Sequence, residues 1–493
     1  MKVTLMILTL VLTASVAVAG PRKYIAFGWE FNSITPDQIL QHIDQLDASG
    51  VDGIGVYVNT KRPDGSTMSS RGIIHEPAWS RDDFASVIPK YRAITAHPSC
   101  RESFLCGYRA PRTRVAWEDD ASWARIAHNM RTVAWLAKTS GFVGLELDPE
   151  DYFRQNQYVR IAGERPYAEL AKLARQRGRE TFAGVFAEHP TVKIISCWLL
   201  TMGRQYWGGS NLRQAMESSE DLWPHFVDGI FDALPPTATV IDGCENGYRF
   251  EADQFHFHKA ATVMRTGLVD LLSPENRVKY RAQAQVSFGL YLDMYTNPEG
   301  NSYYFGPVDG SRLTHFERNL AAATEVADEY VWFWSEKHGF VHWADGVQRD
   351  KRLKGSPSWE EMLPGISDTI RVTKDPHGAV GKWRKAFAAG TLKAVNPFVT
   401  CDGPDSNRVV RAYSPWQEDA KYRKQQGTFG WDGTVGHGDT SSIYAEGVDK
   451  GCFTLYVKDL KPGSRYGLSF AAKGRSATAT VFWLRNGAWD WSF

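Results

Sequence analysis

Acidic residues follow several short apolar runs in this sequence, and the densest group is GLELDPE at residues 144–150. Acids and aliphatic residues alternate there, and successive side chains of a strand point to opposite faces. Glu146, Asp148 and Glu150 therefore share one side of a predicted strand. Buried charges are costly, so such acids belong at the wet end of that strand. Carboxylates grouped in an open site can serve as a general acid and as a nucleophile or base.

A second acidic group is DGCENGY at residues 242–248. Glu245 lies among glycines and next to Asn246 and Tyr248. Small residues would admit a substrate and polar ones would orient it, which favours a binding site. The alternative is a tight turn at Asn246-Gly247 with Glu245 merely solvated.

A third group is WFWSE at residues 332–336, where Trp334 and Glu336 share one strand face. A tryptophan beside an acid suits the apolar face and the hydroxyls of a sugar, although the ring could equally pack into the core. Further candidates end the other apolar runs, and each alone could be a packing or loop residue: Trp29, Glu30, Tyr57, Asn59, Trp198, Tyr291 and Asp293.

The elements that position these residues alternate between strand-like and helix-like segments. Eight apolar runs lie between Lys23 and Glu336, which predicts an α/β fold, a (β/α)8 TIM barrel over residues 20–395. Barrel enzymes keep their chemistry at the C-terminal ends of the strands, where these acids fall. The predicted connecting helices are Thr35–Ser49, Asp120–Lys138, Tyr167–Arg179, Asp221–Leu234, Ala252–Ala282, His315–Asp328, Trp359–Ile370 and Lys382–Lys393.

Barrel geometry selects a catalytic pair. Strands four and six lie roughly 10 Å apart along the wall, and inward-leaning side chains shorten this to about 5–9 Å. Pairs of glycosidase carboxylates occupy that range. Asp148 could therefore be the nucleophile with Glu245 as acid/base, or Glu150 the acid with Glu245 as base.

The strand-four run resembles the signature D-x-x-D-x-D-x-E of family 18 chitinases. In that resemblance Glu150 takes the position of the acid and Asp148 that of the assisting Asp, whereas Val143 and Glu146 stand where the family has Asp. Acids on strands four and six are also similar to the α-galactosidase-like clan, in which strand four carries the nucleophile. Both resemblances imply a barrel that cleaves sugars.

The N-terminus and the charge balance bear on localisation and partners. Residues 1–19 combine an early lysine, an apolar core and an A-x-A site, which predicts a signal peptide and a secreted or periplasmic protein. The chain has 57 basic and 56 acidic residues, so it offers no general attraction for nucleic acid or membranes. In an oxidising compartment the six cysteines could pair as Cys100–Cys106, Cys197–Cys244 and Cys401–Cys452.

The composition changes near residue 395. Residues 396–493 are rich in Gly, Thr and Ser and predict a partial all-β sandwich, jelly-roll-like and similar to carbohydrate-binding modules. Predicted strands are Phe453–Val457, Arg465–Ala472, Ala477–Leu484 and Trp489–Phe493. The chain ends within the last of these, so we expect the sequence to be truncated.

The sequence thus predicts a secreted glycoside hydrolase that acts on a poly- or oligosaccharide through a carboxylate pair, with no cofactor and no metal. The alternative is a non-catalytic glycan-binding protein on a barrel scaffold. A metal-dependent hydrolase would need several His at strand ends, and the eight runs offer none there. The sugar, the linkage and the oligomeric state do not follow from the sequence.

Overall fold

The computed structural model describes residues 22–62, 64–208, 211–342 and 356–390, and six short segments beyond them: 414–417, 427–434, 442–448, 451–454, 483–485 and 488–490. The chain divides into two compact units, Met1–Asp375 and Pro376–Phe493. The predicted signal peptide lies outside the described residues. The predicted domain boundary near residue 395 stays a prediction.

The first unit is a nearly closed parallel barrel. Its strands are β1 Lys23–Gly28, β2 Gly53–Tyr57, β3 Phe104–Arg109, β4 Gly144–Asp148, β5 Lys193–Ser196, β6 Thr239–Asp242, β7 Ala284–Val286, β8 Phe288–Tyr291 and β9 Tyr330–Ser335. The order is β8-β9-β1-β2-β3-β4-β5-β6-β7, and every pair is parallel. Only Ser287 separates β7 from β8, so the two form one interrupted seventh strand. The predicted α/β TIM-like barrel is confirmed at this level.

Helices lie between the strands largely where the hydrophobic spacing predicts them. Thr35 forms a capping box at the start of the first, and Gly141 ends the long Asp120–Ser140 helix in a left-handed conformation. The helices of the barrel unit with seven or more residues are Pro36–His42, Ile88–Ala96, Asp120–Ser140, Tyr167–Glu188, Leu212–Ser218, Trp223–Ala233, His256–Thr262, Pro274–Gln283, Arg312–Val326 and Ile366–Lys374.

Two features of the helical layer differ from the prediction. The expected single helix Ala252–Ala282 is broken by a five-residue π turn at Val263–Gly267 and restarts at Pro274, which suits a first helical turn. The helix Ile88–Ala96 was not predicted, since its apolar residues form only a weak stripe. No helix among the described residues is both long and apolar enough to cross a membrane.

The second unit shows three short antiparallel strand pairs. They are Ser414–Gln417 with Gly451–Thr454, Thr428–Asp432 with Ser442–Glu446, and Trp483–Arg485 with Ala488–Asp490. These pairs do not by themselves make a sandwich, and the predicted strand Arg465–Ala472 lies outside the described residues. The predicted sandwich therefore stays a prediction.

Two of the three predicted disulfides are wrong. Cys100, Cys106, Cys197 and Cys244 are all free thiols. Cys197 donates to Glu146 Oε1 at 3.2 Å. Cys106 likewise interacts with Glu146, so both thiols have this carboxyl group as a partner instead of the expected cysteine. The pair Cys401–Cys452 includes a residue outside the described ones.

Candidate active site

A pocket of about 640 Å³ lies at the C-terminal ends of the barrel strands. Eight of the fourteen predicted site residues line it: Trp29, Asp148, Glu150, Glu245, Tyr248, Tyr291, Trp334 and Glu336. The acids at the ends of β4 and β6 thus face one cavity, as barrel topology requires. The volume is in the range of small-ligand pockets.

Asp148 is held by an arginine that the sequence did not single out. Arg109 Nε and Nη2 donate to Asp148 Oδ2 at 3.1 and 2.5 Å, and the backbone N–H of Glu150 donates to Oδ1 at 3.2 Å. The Arg109 guanidinium lies 5.3 Å from the ring centroids of both Tyr57 and Tyr152. Both oxygens of Asp148 are therefore oriented, and its main partner is itself fixed by aromatic rings.

A local irregularity brings Arg109 to Asp148. The register between β3 and β4 shifts between Cys106 and Tyr108, so that Cys106 pairs with Glu146 while Arg109 pairs with Asp148. An extra residue in one strand reverses the face on which the following side chains lie. The only sequence signal for Arg109 is its place at the end of the strand adjacent to β4.

Glu245 follows β6 through an unusual turn. Cys244 adopts a left-handed conformation with φ of 42°, and the Asp242 carboxylate accepts its backbone N–H at 3.1 Å. Burial raises the pKa of Glu245 well above its ordinary value, and the charges of Asp148 and Glu150 add to the rise, while the Trp198 indole opposes it. Glu245 is therefore a carboxyl group that retains its proton at a pH where an exposed glutamate has lost it.

Asp242 organises the turns around Glu245. Its carboxylate accepts the backbone N–H groups of Leu199, Leu200 and Thr201 at 3.0–3.3 Å, as well as the Thr201 hydroxyl at 2.6 Å. One buried side chain thereby joins the loop after β5 to the turn after β6.

The glycines near Glu245 serve packing rather than substrate entry, contrary to the sequence-based interpretation. A Cβ atom at Gly243 would lie 2.6 Å from the backbone oxygen of Ser196, and one at Gly247 would lie 2.5 Å from that of Gly289. Neither position lines the pocket.

Glu146 lies deeper in the same pocket. Its Oε1 accepts from Cys197, whereas Oε2 has no hydrogen-bond partner among the described residues. Burial raises the pKa of Glu146 to about 7; Asp148 contributes to the rise, and Arg109 acts against it. Glu146 is therefore a third acid of the pocket, and its pKa lies near neutral pH.

Glu150 is less buried than Glu146 and lies against Tyr152. Burial raises the pKa of Glu150, the hydrogen bond with Tyr152 lowers it, and the charge of Asp148 raises it further. Tyr152 also lines the pocket, although the sequence did not single it out.

Aromatic rings form another wall of the pocket. The Tyr248 and Tyr291 rings lie 5.3 Å apart, and Tyr291 makes an edge contact with Tyr303 at 5.4 Å. Trp334 Nε1 donates to Glu336 Oε1 at 3.2 Å. Aromatic rings offer an apolar surface to the apolar face of a sugar ring, and the neighbouring carboxylates can accept hydrogen bonds from its hydroxyl groups.

Three of the remaining predicted residues bind backbone groups instead of facing the cavity. Asp293 accepts the N–H groups of Glu336 and Lys337 at 2.8 and 3.0 Å, and burial raises its pKa to about 6. Glu30 accepts the N–H groups of residues 340 and 341 at 3.1 and 3.4 Å. Asn59 donates to three carbonyl oxygens, including that of residue 32 at 3.2 Å. These side chains hold loops around the pocket.

The last three predicted residues do not line the pocket. Tyr57 is buried under the Arg109 guanidinium, Trp198 lies beside Glu245, and Asn246 donates to the Thr201 carbonyl at 3.2 Å. Further lining residues were not predicted and belong to rim loops: Asn32, Arg71, His75, Arg112, Phe153, Asn297, Asn301 and Lys337.

One group of side chains among the described residues could hold a metal ion: Asp44, Asp47 and His97. It lies at a helix and a helix end outside the pocket lining, and both aspartates are exposed. It therefore supplies no ligand to the candidate active site.

Comparison with known proteins assigns no family: no family profile and no curated protein matches the sequence. The structure is similar to a glucosidase from Croceicoccus marinus (TM-score 0.36, 10% identity, 67% of this chain and 62% of that one). It is similar to a GH18 chitinase from Pseudoalteromonas aurantia (0.31, 10%, 64% and 94%) and to a β-mannanase from the blue mussel Mytilus edulis (0.38, 10%, 72% and 93%). At TM-scores below 0.5, function has to be argued from the site itself.

Proposed function

We propose that this chain is a glycoside hydrolase that cleaves a poly- or oligosaccharide, with Glu245 as proton donor and Asp148 as its partner carboxylate. The observation that carries the proposal is one pocket, at the C-terminal rim of the barrel, that contains Asp148, Glu150 and Glu245 beside aromatic rings. Glycoside hydrolysis needs one carboxyl group that holds a proton and one that attacks the anomeric carbon or activates water.

The different environments of the two groups support these roles. The raised pKa of Glu245 favours a protonated acid that can transfer its proton to the glycosidic oxygen. Asp148 is oriented by Arg109 and by the backbone of Glu150, which suits a group that must meet the sugar at a defined position. Glu150, which the sequence also allowed as the acid, forms a hydrogen bond with Tyr152.

Two other parts of the proposal extend to the ends of the chain. We propose that residues 1–19 direct export, and that residues 396–493 form a carbohydrate-binding module that increases affinity for polymeric substrate. The supporting observations are the apolar, A-x-A-containing N-terminus and the antiparallel strand pairs of the second unit.

Leaving groups of different basicity distinguish the two roles. After a polysaccharide panel has identified the sugar, its natural oligosaccharide is compared with its dinitrophenyl glycoside. An activated leaving group needs no proton, so Glu245→Gln should lose about 10²–10⁴-fold on the natural substrate and far less on the dinitrophenyl glycoside. Asp148→Asn should lose activity on both. Glu217→Gln, an exposed glutamate in the helix Leu212–Ser218, is the matched control.

Two results would contradict the assignment. Unchanged activity of the Asp148→Asn, Glu245→Gln double variant would remove this pair. Selective loss on the natural substrate in Glu150→Gln instead of Glu245→Gln would exchange the acid. Glycan binding by the wild type without any turnover on the panel would favour the non-catalytic glycan-binding protein.

A further inference from the structure

Two arginines besides Arg109, namely Arg71 and Arg112, line one wall of the pocket. Arg71 belongs to a short turn, Ser70–Gly72, that follows a small hairpin after β2. Arg112 follows the end of β3 by three residues. Both side chains are exposed to the cavity, although they come from different rim loops.

Aromatic rings hold both guanidinium groups in place. The Arg71 guanidinium carbon lies 5.4 Å from the centroid of the Tyr57 ring, and that of Arg112 lies 5.7 Å from the Phe153 ring. Guanidinium groups stacked on rings keep their N–H donors directed outward at the edge. These donors are therefore available to a ligand.

The two arginines differ in this respect from Arg109, which forms an ion pair with Asp148. Across the described ranges of the chain, neither Arg71 nor Arg112 forms an ion pair with a carboxylate. The repulsion among the three guanidinium groups also lowers the pKa of Arg71, after the larger effect of burial. Positive charges that line a cavity and form no ion pair with a carboxylate are complementary to an anionic ligand.

We propose that the glycan substrate carries an oxyanion, a carboxylate or a sulfate, which binds to Arg71 and Arg112. The inference rests on the proposed function and names its substrate class: acidic sugars rather than neutral ones. The location matters because five acids line the rest of the pocket, Glu146, Asp148, Glu150, Glu245 and Glu336. An anionic substituent would be repelled by those acids that are ionised and attracted by Arg71 and Arg112, so its position would also set the register of the glycan.

The planar guanidinium group can bind either a carboxylate or a sulfate, since it binds carboxylates bidentately and also contacts tetrahedral oxyanions. A charged hydrogen bond of this kind contributes about 1.5–3 kcal/mol, which corresponds to roughly 10–150-fold in affinity. His75 lines the same wall and accepts the backbone N–H of Arg112 at 3.0 Å, so it fixes the loop that carries Arg112.

The test first measures binding of the full chain to a glycan array. Calorimetry then measures the affinity for the glycans that bind. The array contains oligogalacturonates, glucuronate-containing oligosaccharides and sulfated galactans, each beside its carboxyl-reduced or desulfated form. We expect binding to acidic members, at least tenfold weakening in their neutral forms, and a further weakening as salt is raised. Preference for the uronates or for the sulfated galactans identifies the oxyanion.

Variants test whether the preference for acidic glycans depends on Arg71 and Arg112. Arg71→Gln and Arg112→Gln should each weaken acidic glycans about tenfold or more, with neutral glycans unaffected. Arg281→Gln, an exposed arginine in the helix Pro274–Gln283, should change neither. Melting curves show whether each variant is folded, and Arg71→Lys and Arg112→Lys should recover only part of the affinity because the fork is lost.

The inference is overturned if no acidic glycan binds, if neutral forms bind equally well, or if the folded Gln variants bind like wild type. These outcomes are distinct from failure of the proposed function. Acidic glycans that bind through the arginines without being cleaved would refute hydrolysis alone. Cleavage of neutral glycans, unaffected in both arginine variants, would refute the acidic substrate alone.

Discussion

The two ends of the barrel use charged side chains in opposite ways. At the N-terminal end, Lys23 contacts Glu102 at 2.6 Å and Glu329 at 2.9 Å, and Lys193 contacts Glu329 at 2.6 Å. The Tyr330 hydroxyl completes the network, accepting from Lys193 and donating to Glu102. Two lysines and two glutamates therefore neutralise each other.

The pKa shifts at the two ends have opposite directions. Burial raises the pKa of Glu329, but the hydrogen bonds from Lys193 and Lys23 outweigh it, and the pKa lies below its ordinary value. At the C-terminal rim, burial and neighbouring acids raise the pKa of Glu146, Glu150 and Glu245. One end of the barrel is arranged for stability, whereas the other keeps acids in a state that costs stability and favours proton transfer.

Among the described residues, Arg109 is the cation paired with a catalytic candidate, and its removal should have the largest effect. In Arg109→Gln, Asp148 loses its ion pair, and we expect kcat to fall about 100-fold because a misplaced carboxylate meets the sugar poorly. Arg109→Lys should recover part of kcat, which a purely structural role would not explain. Steady-state kinetics on the identified substrate measure both. Unchanged kcat in a folded Arg109→Gln variant would contradict the positioning role.

The second prediction uses the buried acid at the rim. Since the folded pKa of Glu146 is about 7 and its ordinary value is 4.5, its contribution to stability is present below pH 4.5 and lost as pH rises through 7. Glu146→Gln should therefore gain stability relative to wild type as pH rises from 4.5 to 8. Denaturant unfolding at several pH values measures the difference. A gap that does not vary with pH would contradict the raised pKa.

The third prediction concerns the opposite end. Glu329 has a lowered pKa, so its contribution is present above the ordinary value and is lost as pH falls through the folded pKa. Glu329→Gln should cost about 1–3 kcal/mol at pH 7, with the gap closing in acid and with turnover unchanged. Glu217→Gln serves as the exposed control in the same unfolding experiment. Loss of turnover in a folded Glu329→Gln variant would end the division between the two ends.

The sequence predicted the carboxylates of the C-terminal rim better than their arginine partner for a physical reason. Asp148 and Glu245 follow apolar runs, and parallel strands bring such residues to one rim whatever the details of packing. The pairing of Arg109 with Asp148 depends on a register shift within β3, and a one-residue slip reverses every later side chain. Sequence alternation alone does not locate such a shift.

Two other predicted site residues differ from Asp148 in what their carboxylates bind. Glu30 and Asp293 end strands as Asp148 does, but their carboxylates accept backbone N–H groups of the loops after β9. Whether a strand-end acid binds a loop or faces a cavity depends on the path of chain segments distant in sequence. The predicted Cys197–Cys244 disulfide was wrong for a similar reason, because the neighbouring strands were predicted but the direction of each thiol was not.

The smallest predicted effect comes from a substitution at the rim of the pocket. Trp334→Phe keeps an aromatic surface but removes the indole N–H that donates to Glu336 at 3.2 Å. We expect KM to rise a few-fold, with kcat nearly unchanged, because one hydrogen bond of about 0.5–1.5 kcal/mol that positions Glu336 is lost. Trp135→Phe is the control, since Trp135 is also half-buried but lies against Arg81 outside the pocket. A fall in kcat of the size expected for Arg109→Gln would place Glu336 among the groups that act on the glycosidic bond itself, and the rim would then contain a third reacting acid.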